Sequence, residues 1–361
     1  MRVLIVTGSS GGHIFPAFAL AEELKKTGTD LLLVLPQNVF KIKIPIGLKD
    51  VKYLPVVALS SSLSVNNLLG VWIFLRVAWE SFRLIIKFKP DVVVGFGGLN
   101  TLSLVFWAWL FRIKTIIHEQ NVICGKANGL LAKLVDKVAV SFSQTRALLS
   151  IRGEKIILTG NPLRSDLIRI NKKEALDFFK LKEGKFTVLI TGGSQGAHRL
   201  NVACFEALTH YPKQIELQII HICGMQDFAW LAEGYARTNL IYKLFNFFEA
   251  MQYAYSLADL IISRAGATTI AELMQFKVPA ILVPYPFAEA HQMANAQVLE
   301  NMGAAKIVLD KNLSAAKISE KLQEYFYDHE KLTMMSQAYQ NIQDANATKL
   351  LAGEVIRLNN A

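Results

Sequence analysis

The chain has 361 residues, enough for two domains, and 52% of them are hydrophobic. No apolar run reaches the roughly 20 residues of a membrane-spanning helix, and we expect no signal peptide because the chain opens on a strand. Three scattered cysteines, Cys124, Cys204 and Cys223, speak against a disulfide framework or a zinc site and for reduced thiols. The net charge of +10 sits entirely in residues 1–160, which hold 19 Lys/Arg against 9 Asp/Glu, while residues 161–361 hold 20 of each. Composition alone leaves an anionic membrane surface and nucleic acid open as the partner of that charge.

Arg2 to Thr7 (RVLIVT) is a continuous apolar run, as in a strand covered on both faces of a parallel sheet. Gly8, Gly11 and Gly12 then form a tight loop, and a helix is predicted from about Phe15 to Lys26 with Pro16 in its first turn. The next strand is Asp30 to Leu35. The glycine spacing is not G-x-G-x-x-G, and Pro36-Gln37-Asn38 offers no acid to a ribose, so a nicotinamide-dinucleotide reading fails. His13 stands at the loop–helix junction, at the mouth of a parallel sheet; a structural role and a catalytic one both fit that position.

Residues 36–65 read as irregular. Leu68 to Lys89 reads as a long helix whose polar stripe is Arg76, Glu80, Arg83 and Lys87. Its apolar residues, among them Trp72, Phe74, Trp79, Phe82 and Phe88, together with Trp107, Trp109 and Phe111, are more than one sheet needs. Core packing and contact with lipid both remain open for them. DVVVGFGG is a strand with a glycine loop, and Lys114 to Ile117 is another, ending in His118-Glu119-Gln120-Asn121. Polar groups at the C-terminal end of a parallel strand are placed to meet a ligand, although Glu119 and Asn121 also suit loop capping. Val138 to Ser141 and Lys155 to Leu158 complete a first sheet, and Thr159 to Asp166 (TGNPLRSD) reads as a linker.

The plan then repeats: strand Phe186 to Thr191, glycine loop 192–197, helix from about Leu200. Strands at Gln218 to Cys223 and Leu240 to Phe245 follow, with Phe248 in the loop before a helix near Met251. After the run Leu257 to Ile262, Gly266 permits a tight turn and Thr268 and Thr269 are candidate caps of a helix that carries Glu272 one turn in. The helix start suits a phosphate, and Glu272 suits the two hydroxyls of a ribose. AILVP is the next strand, and His291 and Gln292 open a helix that reaches the same ligand. A strand at Lys306 to Leu309 precedes C-terminal helices. The reading is α/β, with two similar doubly wound domains.

Taken in order, GSSGGHIFPA, HEQN, GNPLR, GGSQGA and RAGATTIAEL…HQMANA resemble, over essentially the whole chain, the MurG family: the UDP-N-acetylglucosamine:undecaprenyl-pyrophosphoryl-muramoyl-pentapeptide N-acetylglucosaminyltransferases. The resemblance implies a GT-B fold, two Rossmann-like domains with parallel sheets facing across a cleft. Residues 1–161 would form the acceptor- and membrane-facing domain, 162–335 the UDP-sugar domain, and 336–361 a helix returning to the first. It implies an inverting transfer of N-acetylglucosamine to the muramoyl 4-hydroxyl of lipid I, giving lipid II and UDP. The enzyme would be a peripheral protein on an anionic membrane surface, at the cytoplasmic face of the plasma (inner) membrane, with no nucleic-acid partner and no cofactor.

By position, Glu272 is the implied ribose ligand. Ser194, Gln195 and Gly196 meet the diphosphate, and the backbone at Phe248 meets uracil. Arg264, Gln292 and His291 line the donor site. Asn121 and Arg164 touch the sugar nucleotide, and Ser10, Gly11 and Gly12 belong to the acceptor loop. His13 is the first candidate for the base and Glu119 the second. The sequence has no Asp-x-Asp pair to hold a metal–diphosphate, so we expect backbone N–H groups of the Gly192–Gly196 loop and of the helix near Ala267, assisted by Arg264, to take that charge without a metal. Where the family has an arginine-containing loop, near residue 60, this chain has ALSSSLSVNN. The pairing of GGSQGA with HEQN argues against fold relatives such as a diacylglycerol glycosyltransferase or a UDP-N-acetylglucosamine epimerase. A membrane-docked binding protein without turnover would have no need of His13, Asn121, Ser194 and Glu272 together.

Overall fold

The computed structural model describes the chain except residues 40–43, 46, 57–64, 194–195, 210–216, 287–289 and 342–345. It divides into two compact units, Met1–Arg164 with Ala345–Ala361, and Ser165–Asp344.

The first unit runs β1 (Arg2–Thr7), α1 (Gly11–Lys25), β2 (Asp30–Pro36), β3 (Val51–Leu54), α2 (Val65–Phe88), β4 (Val92–Phe96), α3 (Leu99–Leu110), β5 (Lys114–Glu119), α4 (Lys126–Leu131), β6 (Lys137–Val140), α5 (Ser143–Leu148) and β7 (Ile156–Leu158). All seven strands are parallel, in the order β3-β2-β1-β4-β5-β6-β7. Side chains alternate across a strand, so β1 feeds two cores. Val3 and Ile5 pack on one face with Ile14, Phe18 and Leu24 of α1, and Leu4 and Val6 on the other with Val77, Leu104 and Val105. Burial on both faces is the reason these strands read as unbroken apolar runs.

The second unit runs α6 (Lys172–Phe179), β8 (Phe186–Thr191), α7 (His198–Thr209), β9 (Leu217–Ile222), α8 (Phe228–Ala236), β10 (Ile241–Phe245), α9 (Met251–Leu257), β11 (Leu260–Ser263), α10 (Ala267–Phe276), β12 (Ala280–Leu282), α11 (His291–Asn301), β13 (Ala305–Ile307), α12 (Ala315–Tyr327) and α13 (His329–Gln337). Its six parallel strands lie in the order β10-β9-β8-β11-β12-β13. The last helix, α14 (Ala347–Asn360), packs on α1 of the first unit and adds Leu351, Val355 and Leu358 to the core there. Each such side chain contributes roughly 1.5–3 kcal/mol.

In both sheets the winding reverses beside the first strand of the unit, between β1 and β4 and between β8 and β11. Crevices at such switch points, at the carboxyl ends of the strands, are where open parallel sheets take ligands. The glycine loops after β1, β4, β8 and β11 all open there.

Several boundaries differ from expectation. The segment 36–65 contains the short strand β3. Helix α1 starts at Gly11, four residues early, because the Ser10 carbonyl accepts from both His13 N and Ile14 N and closes the turn despite two glycines. Helix α10 starts at Ala267 with Gly266 as its N-cap, so Thr268 and Thr269 lie inside the first turn and do not cap it.

Candidate functional site

In the first unit, the imidazole of His13 sits in a slot that only glycine permits. A Cβ on Gly8 would come 2.6 Å from His13 Nδ1, and one on Gly97 3.0 Å from its Nε2. Gly98, at φ +86°, passes so close that its Cβ would lie 2.7 Å from Gly8 Cα. Ser10 Oγ lies 3.0 Å from His13 Nδ1. The structure therefore pairs Ser10 with His13, and Gly11 and Gly12 form the first turn that carries the ring. General-base work at Nε2 requires the tautomer in which Nδ1–H donates to Ser10 Oγ.

Glu119 is 1% exposed. Its Oε1 accepts from Asn121 N (2.9 Å) and Asn121 Nδ2 (3.2 Å), and its Oε2 from Gly125 N (3.0 Å) and Asn128 Nδ2 (2.9 Å). Four donors occupy the carboxylate, so its place is that of an organiser of loop 119–128, the capping role weighed for it above. It holds Asn121 in position; Thr145 Oγ1 bonds the Asn121 carbonyl from the other side. Asn128, whose Nδ2 also donates to the His118 carbonyl, carried no signal beyond its nearness to HEQN. His118 is fully buried, and desolvation lowers its pKa to about 4 against an opposing hydrogen bond with the Gly160 carbonyl. The ring is neutral and donates from Nε2 to that carbonyl. Arg164 lies over the Phe15 ring, 5.8 Å from its centroid.

In the second unit, the loop between β8 and α7 turns on Gly193 (φ +82°) and Gly196 (φ +79°), with Gly196 N donating to the Gly193 carbonyl. A Cβ on Gly196 would stand 2.4 Å from the Cys223 carbonyl oxygen. That carbonyl is fixed by Asn201 Nδ2 at 2.8 Å, and Asn201 is tied to Asp227 and His221. Ser194 and Gln195 lie outside the described residues.

The turn after β11 leads straight into α10, whose N-terminus at Ala267 has no side-chain cap. First-turn N–H groups have no partner within their own helix, which makes such an end suited to an anion. Glu272, half-buried, stands on the second turn, and Tyr255 Oη donates to its Oε2 at 2.7 Å. Gln292 Oε1 accepts from Ala265 N (3.2 Å) and Tyr285 N (2.9 Å) and so clamps two loops, while His291 is the first residue of α11. The ring of Phe248 is packed on Phe178, Phe179 and Phe245, which fixes the backbone at this residue.

Arg264, expected to line the donor site and assist at the diphosphate, is engaged within the second unit. It is 8% exposed, and its Nη1 donates to the Val283 carbonyl at 3.1 Å and to Asp310 Oδ1 at 2.7 Å. The guanidinium is neutralised by a buried carboxylate that Arg199 also reaches. Its work is to hold the strand ends and, through a cation–π contact of 5.5 Å, Tyr285. Asp310 lies 46 residues away in sequence and gave no local signal.

Two parallel-sheet units with glycine loops and an uncapped helix end at their switch points have the architecture of the GT-B fold. Residues 3–140 match the glycosyltransferase family 28 N-terminal domain and residues 187–351 the C-terminal domain of the same family. A UDP-N-acetylglucosamine--N-acetylmuramyl-(pentapeptide) pyrophosphoryl-undecaprenol N-acetylglucosamine transferase from Halothermothrix orenii is 36% identical over 94% of both chains, and one from Thermodesulfovibrio yellowstonii 37% over 89% of both. The crystal structure of Acinetobacter baumannii MurG superposes with a TM-score of 0.75 at 28% identity, covering 99% of each chain. The calicheamicin glycosyltransferase CalG4, at 12% identity and a TM-score of 0.71, shares the fold alone. The chain belongs to glycosyltransferase family 28 and, within it, to the MurG family.

Proposed function

We propose that this enzyme transfers N-acetylglucosamine from UDP-N-acetylglucosamine to the muramoyl 4-hydroxyl of lipid I, with inversion, and releases lipid II and UDP. The observation that carries the reading is the match, over nearly the whole chain, to relatives whose names state this transfer. The two switch-point sites supply residue types suited to it.

His13 takes the proton of the acceptor hydroxyl at Nε2, with Ser10 holding Nδ1. The hydroxyl oxygen bonds to the anomeric carbon as the bond from that carbon to the diphosphate oxygen breaks, and UDP leaves with the electron pair. The charge that grows on the diphosphate is met by backbone N–H groups of the Gly192–Gly196 loop, Ser194 and Gln195 among them, and of the first turn at Ala267; Gly193 N and Gly196 N instead donate to Thr191 Oγ1 and the Gly193 carbonyl and shape the loop. Glu272 accepts from the ribose hydroxyls, and the backbone at Phe248 meets uracil. Gln292 and His291 border the donor sugar, and Asn121 and Arg164 are assigned to the sugar nucleotide by their place in the sequence. Arg264 and Glu119 act by holding these loops.

Docking on an anionic membrane face is part of the proposal. On α2, Trp72, Leu75 and Trp79 are 58%, 60% and 60% exposed, and Phe106, Trp109 and Phe111 are exposed on and after α3. Trp107 bonds the Ala78 carbonyl and joins the two helices, so the rings form one surface and are not all core. Arg76, Arg83, Lys87, Lys89 and Arg112 stand exposed on the same elements. Such a surface suits the interface of an anionic leaflet. Among the described residues no helix is long and apolar enough to cross a membrane.

The test is the product. Incubation with UDP-N-acetylglucosamine and a lipid I analogue should give an acceptor heavier by one N-acetylhexosamine, joined through a β-linkage. Hydrolysis to free sugar alone, or an α-linkage, contradicts the reading.

A further inference from the structure

We propose that Tyr255 is a positioning residue for the ribose: its buried hydroxyl sets the rotamer of Glu272 and thereby the enzyme's preference for a ribonucleotide. The inference rests on the reading of Glu272 as the ribose ligand. Tyr255 is on α9 and 2% exposed. Its ring stacks on Phe276, with centroids 5.2 Å apart and planes 29° apart. Phe276 is one turn beyond Glu272 on α10, so the stack fixes the phenol against the same helix that carries the carboxylate. The hydroxyl then donates to Glu272 Oε2 at 2.7 Å, a charge-assisted length.

A glutamate on a helix surface samples several rotamers and must be ordered when it receives two hydroxyls of a ligand. Here one carboxylate oxygen is already held by a rigid, buried donor. The plane of the carboxylate therefore keeps a fixed direction, which suits the paired hydroxyls of a cis-diol. The contact joins two side chains from consecutive helices across a buried stack, so it belongs to the framework of the site and exists before any ligand arrives.

The experiment titrates UDP and 2′-deoxy-UDP against the full-length wild type, Tyr255→Phe, Glu272→Ala and, as a packing control, Phe276→Leu, with folding followed by melting curves. The wild type should prefer UDP, and Glu272→Ala should abolish the preference. Tyr255→Phe keeps the ring and its stack; it should reduce the preference roughly three- to tenfold through weaker UDP binding, with 2′-deoxy-UDP affinity unchanged. Phe276→Leu removes the stack but keeps the hydroxyl; it should lower the melting temperature and reduce the preference by less than Tyr255→Phe does. Equal weakening of both nucleotides in Tyr255→Phe, an unchanged preference there, or a loss of preference in Phe276→Leu as large as in Tyr255→Phe overturns the role of the hydroxyl. A wild type that does not distinguish the two nucleotides, with Glu272→Ala binding both as well, overturns the ribose reading beneath it.

Discussion

At the scale of single residues, two side chains that look alike as ligand candidates divide by what already holds them. His13 has a shaped slot and a hydroxyl at one ring nitrogen; Arg264 is buried and binds Asp310 and the Val283 carbonyl through Nη1. His13→Ala should lower turnover by ~10²–10⁴ with little change in the melting temperature. A loss below tenfold in a folded variant removes it as the base. Arg264→Ala should instead cost about 3 kcal/mol of unfolding free energy, because Asp310 and the Val283 carbonyl lose a buried donor. A variant of unchanged stability with weakened UDP binding would return Arg264 to the diphosphate. The sequence made His13 readable because Gly8, Gly11 and Gly12 precede it within five residues, although Gly97, the other wall of its slot, lies 84 positions on; nothing near Arg264 announces a carboxylate 46 positions on.

At the scale of elements, the long strands were legible and the exceptions have physical causes. RVLIVT and FTVLIT are buried on both faces and read as such; β3, four residues with a lysine, lies at the sheet edge where no such run is needed. The start of α1 was hidden because glycines oppose a helix and only the Ser10 carbonyl reveals it. The histidines of β5 and β9, His118 and His221, are fully buried. Desolvation lowers His118 to about 4 and His221 to about 3. Both stay neutral in the fold, with His221 bonded to Tyr235 and Asn201. The unfolded chain binds a proton on each near pH 6.5 and the folded chain does not, so stability falls as pH drops from 6.5 towards 4. Each should remove about 1.4 kcal/mol per pH unit over that range. Denaturant unfolding at pH 7.5 and 5.5 checks this: His221→Gln should show a shallower loss than wild type, and equal stabilities of the wild type at both pH values would contradict it.

At the scale of the whole molecule, charge and exposed aromatic surface coincide in the first unit, and the residues proposed for the ribose, uracil and diphosphate belong to the second. Binding to vesicles containing anionic lipid should weaken as salt rises, since each Lys/Arg near the surface adds about 1 kcal/mol that salt screens. Binding that salt leaves unchanged would contradict the electrostatic part and leave only the apolar contacts, which Trp72→Ser with Trp79→Ser should weaken. The replaced loop near residue 60 falls largely outside the described residues, so the hold on the acceptor pyrophosphate is the part of the site least legible from sequence. The central claim is a transfer in which backbone N–H groups carry the charge of the departing UDP. Its most direct measurement follows radiolabelled N-acetylglucosamine from UDP-N-acetylglucosamine into a lipid I analogue, with EDTA in a parallel reaction. Label should enter the lipid at the same rate in both. Transfer abolished by EDTA would contradict the stabilisation argued from the two loops, and no transfer with UDP-N-acetylglucosamine still bound would contradict the acceptor.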